Sequence, residues 1–264
     1  MTEQTGSKPI ERIVTALRMA KKQGQPALVA FLTAGYPDRA RFREHLAAIA
    51  QEADLVEIGV PFSDPMADGV TIQRSSEGAL RAGVTLTWIL EELQLMEPVR
   101  APLLLMSYMN PLLAFGLPRL ARRAAGAGVC GFIVPDLPLD ESEELRSVLA
   151  PYDIALVQMV TPVTPGERLA KLATASQGFV YAVTVTGTTG RSLAAGDDIA
   201  AYLERVRSAA TVPVCAGFGI RSREQVERLR GQVDGVIVGS ALVEVLERGE
   251  SASQFLAGLR PPRR

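Results

Sequence analysis

The stretch Ala27-Leu28-Val29-Ala30-Phe31-Leu32-Thr33-Ala34-Gly35-Tyr36-Pro37-Asp38 decides between two folds for this chain. Its first seven residues form an almost unbroken apolar run, the pattern of a strand buried on both faces of a parallel sheet. A doubly wound open sheet usually follows such a strand with a glycine-rich phosphate turn. Residues 33–38 contain no GxGxxG, so the turn does not support that architecture.

Working outward, the same kind of run recurs at 55–60, 103–108, 131–134, 155–160, 179–185, 212–216 and 235–238, which makes eight expected strands. Between them, apolar residues repeat near the helical period at 40–52, 86–96, 118–127, 140–149, 165–173, 198–209, 223–230 and 241–259. Pro118 and Pro165 stand where a first helical turn accepts proline. Residues 11–22 predict an extra helix before the first strand. No Ser/Gly-rich linker or shift in composition divides the 264 residues. The expected class is therefore α/β, a single (β/α)8 TIM barrel with an extra N-terminal helix, as one domain over 1–264 with 1–9 and 260–264 frayed.

The net charge of −1 gives no electrostatic reason to expect nucleic acid or an anionic membrane as partner. No apolar stretch reaches the ~18–20 residues that span a bilayer, and residues 1–9 lack the apolar core of a signal peptide. The expected location is cytoplasmic. Cys130 and Cys215 lie in or beside apolar runs without zinc-ligand spacing and are expected in the core. The one histidine, His45, falls in a helical pattern and is expected at the surface. The four lysines, Lys8, Lys21, Lys22 and Lys171, all lie away from strand ends, where barrel enzymes keep their reacting groups. Schiff-base chemistry thus lacks its amine, and a zinc-dependent aldolase lacks its histidines. Carboxylates, with or without a tyrosine, must move the protons.

Few acidic residues stand near strand ends. In Leu55-Val56-Glu57-Ile58-Gly59-Val60, alternation turns Glu57 opposite to Val56 and Ile58, into the barrel. A buried carboxyl is either paired with a neighbouring strand or functional, and desolvation raises its pKa toward neutrality, which suits proton transfer. In the following loop, Asp64 and Asp68 are either turn formers or groups that reach back over the mouth. Asp136 after the fourth strand is a turn former or a loop anchor, and Tyr181 is a core tyrosine or a pocket phenol. Strands seven and eight run into Gly217-Phe218-Gly219 and Gly239-Ser240, where backbone N–H groups suit a phosphate. Gly187-Thr188-Thr189-Gly190 is placed to close over it, and ordinary tight turns are the other reading of these glycines. The residues alone reach a small phosphorylated substrate and carboxylate acid–base chemistry, with no obvious metal.

Residues 55–73, Leu-Val-Glu-Ile-Gly-Val-Pro-Phe-Ser-Asp-Pro-Met-Ala-Asp-Gly-Val-Thr-Ile-Gln, resemble the signature of the tryptophan synthase α-chain family. The resemblance extends through 31–37, 106–111, 131–138, 216–220 and 238–240. It implies a lyase of tryptophan biosynthesis that cleaves indole-3-glycerol phosphate to indole and glyceraldehyde 3-phosphate without metal or Schiff base. By motif, Glu57 resembles the acid/base at indole C3 and the glycerol hydroxyl, and Asp68 the carboxylate that holds the indole N–H. Tyr181 matches a tyrosine near the reacting carbons, and Phe31 and Phe218 match residues flanking the indole. Thr189 matches the closing-loop residue that packs on Asp68. Gly190, Gly219, Gly239 and Ser240 match the phosphate cradle. Asp64, Pro65 and Pro138 match contacts with a β subunit, which implies an α2β2 heterotetramer whose pyridoxal phosphate belongs to the β chain; no cofactor is expected in this one. Two residues depart from the family pattern: Val70 stands where proline is common, and Thr188 where valine is common. The competing expectations are a stand-alone lyase that releases free indole, a phosphosugar isomerase with two acidic groups, and a non-catalytic barrel kept to activate a partner.

Overall fold

Every residue of the first strand is buried, as a strand covered on both faces requires. In the computed structural model, which describes residues 7–184, 197–217 and 219–260, this strand is one stave of a closed parallel barrel. The chain begins with α1 (Pro9–Lys22), β1 (Ala27–Thr33), α2 (Phe42–Glu52), β2 (Leu55–Gly59), α3 (Val70–Arg81) and α4 (Leu86–Gln94). It continues through β3 (Leu103–Met106), α5 (Met109–Phe115), α6 (Leu117–Gly126), β4 (Val129–Ile133), α7 (Glu143–Leu149), β5 (Ala155–Val160) and α8 (Gly166–Ala175). The last elements are β6 (Val180–Val183), α9 (Asp197–Ala209), β7 (Val214–Gly217), α10 (Arg223–Arg228), β8 (Gly235–Val238), α11 (Ser240–Glu247) and α12 (Ala252–Leu259). Neighbouring strands pair in sequence order, and β8 closes on β1.

Alternation along the strands sorts the core into two sets. Leu28, Ala30 and Leu32 join Val56, Ile58 and the inward faces of the helices. Ala27 and Val29 join Leu55, Leu104, Ala155, Val157, Phe179 and Ile237 inside the barrel. The bottom of this inner core is filled by α1, whose Ile13, Leu17 and Ala20 are buried against it. Polar latches hold that end together. Asp54 accepts from Leu28 N (2.9 Å) and pairs with Arg260 (3.1 Å), while Asp234 accepts from Val214 N (2.9 Å) and Lys21 Nζ (2.8 Å). Arg260 also donates to the Glu52 carbonyl and Pro9 opens α1, while 1–6 and 261–264, most of the ends expected to fray, lie outside the described residues.

Corrections follow from local chemistry. Two helices were not expected. The segment Val70–Arg81 turns mainly small polar residues inward, with Ser75 and Ser76 buried and Ser75 Oγ 2.6 Å from Thr33 Oγ1, so it shows little apolar periodicity. Met109–Phe115 is too short to show a period. The helix expected over 241–259 breaks at Gly249, whose φ of 68° ends α11, and restarts where Ser251 Oγ accepts from Gln254 N. His45 is buried, 8% exposed, because it shares the inward stripe of α2 with Phe42, Leu46 and Ile49. Burial and the nearby Arg41 guanidinium both lower its pKa.

Close packing of the inner core requires glycine at Gly235. A Cβ there would lie 2.7 Å from Cys215 Sγ and 3.4 Å from Leu17 Cδ2, where α1 meets the barrel. Gly235→Ala is expected to lower stability by about 1–3 kcal/mol, the usual cost of overpacking. Chemical denaturation checks this. Adding Cys215→Ala, which deletes the opposing sulfur, should recover part of the loss, and a strictly additive double variant would count against the account.

Candidate active site

The carboxyl ends of the strands surround a cavity of about 430 Å³. A larger hollow of about 690 Å³ lies on the outer flank, lined by Arg43, Glu44, Met96 and Arg100 among others, and it contains no strand-end group. The strand-end cavity is built by the inward-facing register. Phe31 pairs with Glu57 across β1 and β2, Glu57 with Leu104 across β2 and β3, and Tyr181 with Met159 and Cys215 across its two neighbours. The next inward positions, Met106, Val183 and Gly217, and Ile237 complete the wall. Gly59 leaves room for Phe31, since a Cβ there would lie 2.5 Å from the ring.

Glu57 is 1% exposed, and its Oε1 has no hydrogen-bond partner. With no donor to offset it, burial pushes the carboxyl up to about 8, so Glu57 is protonated at neutral pH. Asp68 lies on the β2–α3 loop at the rim of the cavity. Burial raises its pKa to about 6, while a hydrogen bond from Tyr108 (OH to Oδ2, 3.0 Å) works in the opposite direction. One carboxyl is therefore held neutral and the other ionised near pH 7, the separation that acid–base division of labour needs. The Tyr181 phenol, half-buried in the same cavity, is held neutral, its pKa raised first by desolvation and then by Glu57 and Asp68.

Opposite these groups, Gly219 has a φ of 62°, and Gly239 precedes Ser240, the first residue of α11. All three line the cavity, and the helix start offers unpaired backbone N–H groups to an anion. Asp64 and Pro138 are exposed and Pro65 is half-buried, on the loops after β2 and β4. Phe218, Thr188, Thr189 and Gly190 lie outside the described residues. Val70 opens α3 and is 70% exposed, at the helical position where proline is tolerated. Asp136 acts as a loop anchor: its carboxylate accepts from Met109 N at 2.9 and 3.2 Å.

Sequence reasoning overlooked Tyr108 as the partner of Asp68, and Met106, Met159 and Ile237 as walls. The walls had a signal, because the i+2 series 104, 106 and 155, 157, 159 continues the inward face. Tyr108 had only its nearness to a strand end. Among the described residues, no group of three or more His, Cys, Asp or Glu side chains is arranged to hold a metal ion.

The buried carboxyl makes stability depend on pH. With a pKa near 8 folded and near the ordinary value unfolded, Glu57 keeps a proton in the folded state that the unfolded chain releases. Its contribution therefore falls as pH rises from about 4.5 to about 8 and stays lost above that. Glu57→Gln should abolish this slope and be the more stable form at pH 8–9, by roughly 3–5 kcal/mol, with the gap narrowing toward pH 4.5. Denaturation midpoints across that range test it, and parallel curves for the two proteins would refute it.

Known proteins match this arrangement across nearly the whole chain. The tryptophan synthase alpha chain family profile covers residues 17–259. The chain is 44% identical over 247 residues to the tryptophan synthase alpha chain of Nitratidesulfovibrio vulgaris strain Hildenborough, covering 93% of this chain and 96% of that one. It is 44% identical over 240 residues to that of Bacillus mycoides, with 90% and 92% covered. The fold superposes on Mycobacterium tuberculosis tryptophan synthase in its open form with a TM-score of 0.85 at 34% identity, covering 94% and 96% of the two chains. For the alpha subunit from Legionella pneumophila strain Paris the TM-score is 0.84 at 28% identity, with the same coverage. The eight-stranded barrel, the two carboxyls at its mouth and these likenesses agree: the chain belongs to the tryptophan synthase alpha chain family.

Proposed function

We propose that this lyase cleaves indole-3-glycerol phosphate to indole and glyceraldehyde 3-phosphate, with Glu57 as acid and base and Asp68 as the electrostatic partner of the indole nitrogen. The observation that carries the reading is a pair of carboxyls lining one cavity, Glu57 with an unpartnered buried oxygen and Asp68 bonded by Tyr108, which burial holds in different charge states near neutral pH.

Indole is a poor carbon leaving group until C3 is protonated. Glu57, neutral at the start, gives its proton to C3, and the ring nitrogen gains positive charge that the Asp68 carboxylate stabilises while accepting the N–H. Glu57, now a carboxylate, takes the proton from the hydroxyl on the attached glycerol carbon. The O–H electrons form the aldehyde, the carbon–carbon bond breaks, and its electron pair restores the aromatic ring. Glu57 ends protonated, as it began. Tyr181 stands beside the reacting carbons as a neutral phenol, and Phe31 flanks the indole plane. Gly219, Gly239 and Ser240 offer backbone N–H groups to the phosphate.

The β chain of the family is the proposed partner, in an α2β2 assembly, seated over the mouth at Asp64, Pro65 and Pro138. Support comes from the large apolar side chains exposed near that rim, with Met66 at 79% and Val70 at 70%. Pyridoxal phosphate would come with that partner. Among the lysines of this chain, Lys21 is paired with Asp234 below the barrel and Lys171 lies on α8, so neither is at the mouth.

Indole release from indole-3-glycerol phosphate should be slow with this chain alone and rise when the β chain is added; absence of release under both conditions would overturn the reaction. The kcat/KM profile should be bell-shaped, rising near pH 6 as Asp68 ionises and falling near pH 8 as Glu57 loses its proton. Glu57→Gln should lose at least ~10²-fold in kcat with the fold intact. Near-normal cleavage by that variant would remove Glu57 from the mechanism.

A further inference from the structure

Asp68 is held in place from outside its own loop. Its carboxylate accepts from Tyr108 OH at 3.0 Å, and the same hydroxyl accepts from Ala67 N at 2.8 Å. With its lone pair engaged by the amide, the phenol proton is directed at Asp68. Tyr108 is 5% exposed, and its ring stacks on Phe62 at 5.1 Å between centroids, near the start of the same loop. One tyrosine thus grips the β2–α3 loop near both ends.

Tyr108 lies beyond the end of β3 and needs its own support. It immediately precedes α5, whose first N–H, on Met109, is held by both carboxylate oxygens of Asp136. Asp136 comes from the loop after β4. Three consecutive strand-to-helix loops are therefore joined in one line, from Asp136 through the Met109 amide and the Tyr108 ring to Asp68.

We infer that Tyr108 and Asp136 are positioning residues for Asp68, forming a span across three loops that fixes where its carboxylate stands over the cavity before substrate arrives. This rests on the proposed role of Asp68 and deepens it. A carboxylate that must meet an indole N–H gains most from being held at the right place in advance. Tyr108 has a second effect through the same bond, because its hydrogen bond opposes the rise that burial imposes on Asp68. Asp136 acts mainly through the backbone it holds, and its charge is a minor cause of the raised Tyr108 pKa.

The test uses the chain with its β partner and measures kcat and KM for indole release between pH 5 and 9. Tyr108→Phe deletes one oxygen and keeps the stacked ring. It is expected to lower kcat/KM roughly ten- to a hundredfold, the usual effect of losing a hydrogen bond to a charged group. It should also move the acidic limb to higher pH, and comparison on one substrate cancels the titration of the phosphate itself. Asp136→Ala should lower kcat/KM in the same direction. Asp136→Asn, whose amide oxygen can still accept from Met109 N, should restore most of the loss. Wild-type kcat/KM and an unmoved acidic limb in Tyr108→Phe would overturn the span while leaving the reaction standing. An Asp136→Asn variant no better than Asp136→Ala would do the same. A wild-type chain that releases no indole would overturn both readings.

Discussion

A carboxyl inside a parallel barrel is the constraint on which the rest of the site depends. Eight strands buried on both faces offer few donors inside, so Glu57 sits among largely apolar walls with Oε1 unpartnered by any protein group. Such a group survives by keeping its proton, which costs less than burying its charge. The same burial that makes Glu57 a burden to folding keeps it protonated at neutral pH. On the role proposed for Glu57, function and instability share that origin.

The remaining parts of the site are placed by loops that the barrel only begins. The inward register delivers Phe31, Glu57, Met159 and Tyr181 at fixed heights, because their backbone belongs to paired strands. Asp68 has no such support and is secured by cross-links between loops. On the opposite side of the mouth, α3 is tied to α11 by Arg74 and Glu247, and Glu247 also accepts from Tyr36 OH at 2.6 Å. The rigid groups are therefore set by the sheet, and the adjustable ones by side chains that reach between loops.

Much of this could be read from the sequence, and the limit falls along a physical line. The barrel follows from unbroken apolar runs separated by helical periods, and Glu57 from a single charged residue out of phase with its strand. Both are signals of burial, which leaves a strong mark on residue choice. The helix over 70–81 was hidden because its buried side is only Ser75, Ser76 and Ala79, with Ser75 bonding to Thr33 and to the Ile72 carbonyl. His45 was misjudged because a polar residue at an inward helical position looks like surface when its stripe is not counted. The grip of Tyr108 on Asp68 joins residues far apart in the chain through single hydrogen bonds, and such bonds impose no period on the sequence. The β-chain partner and the substrate came from resemblance rather than from burial or spacing.

The helix beneath the barrel has one more consequence. Ile13, Leu17 and Ala20 fill the inner core at the end opposite the cavity, so the described barrel is a cup rather than a pipe. Among the described residues, the way to Glu57 is through that mouth. On the proposed reaction, reactant and both products share that doorway, and a β chain seated on the rim would govern traffic in both directions. A small apolar product leaving such a cup meets whatever covers it before it meets water.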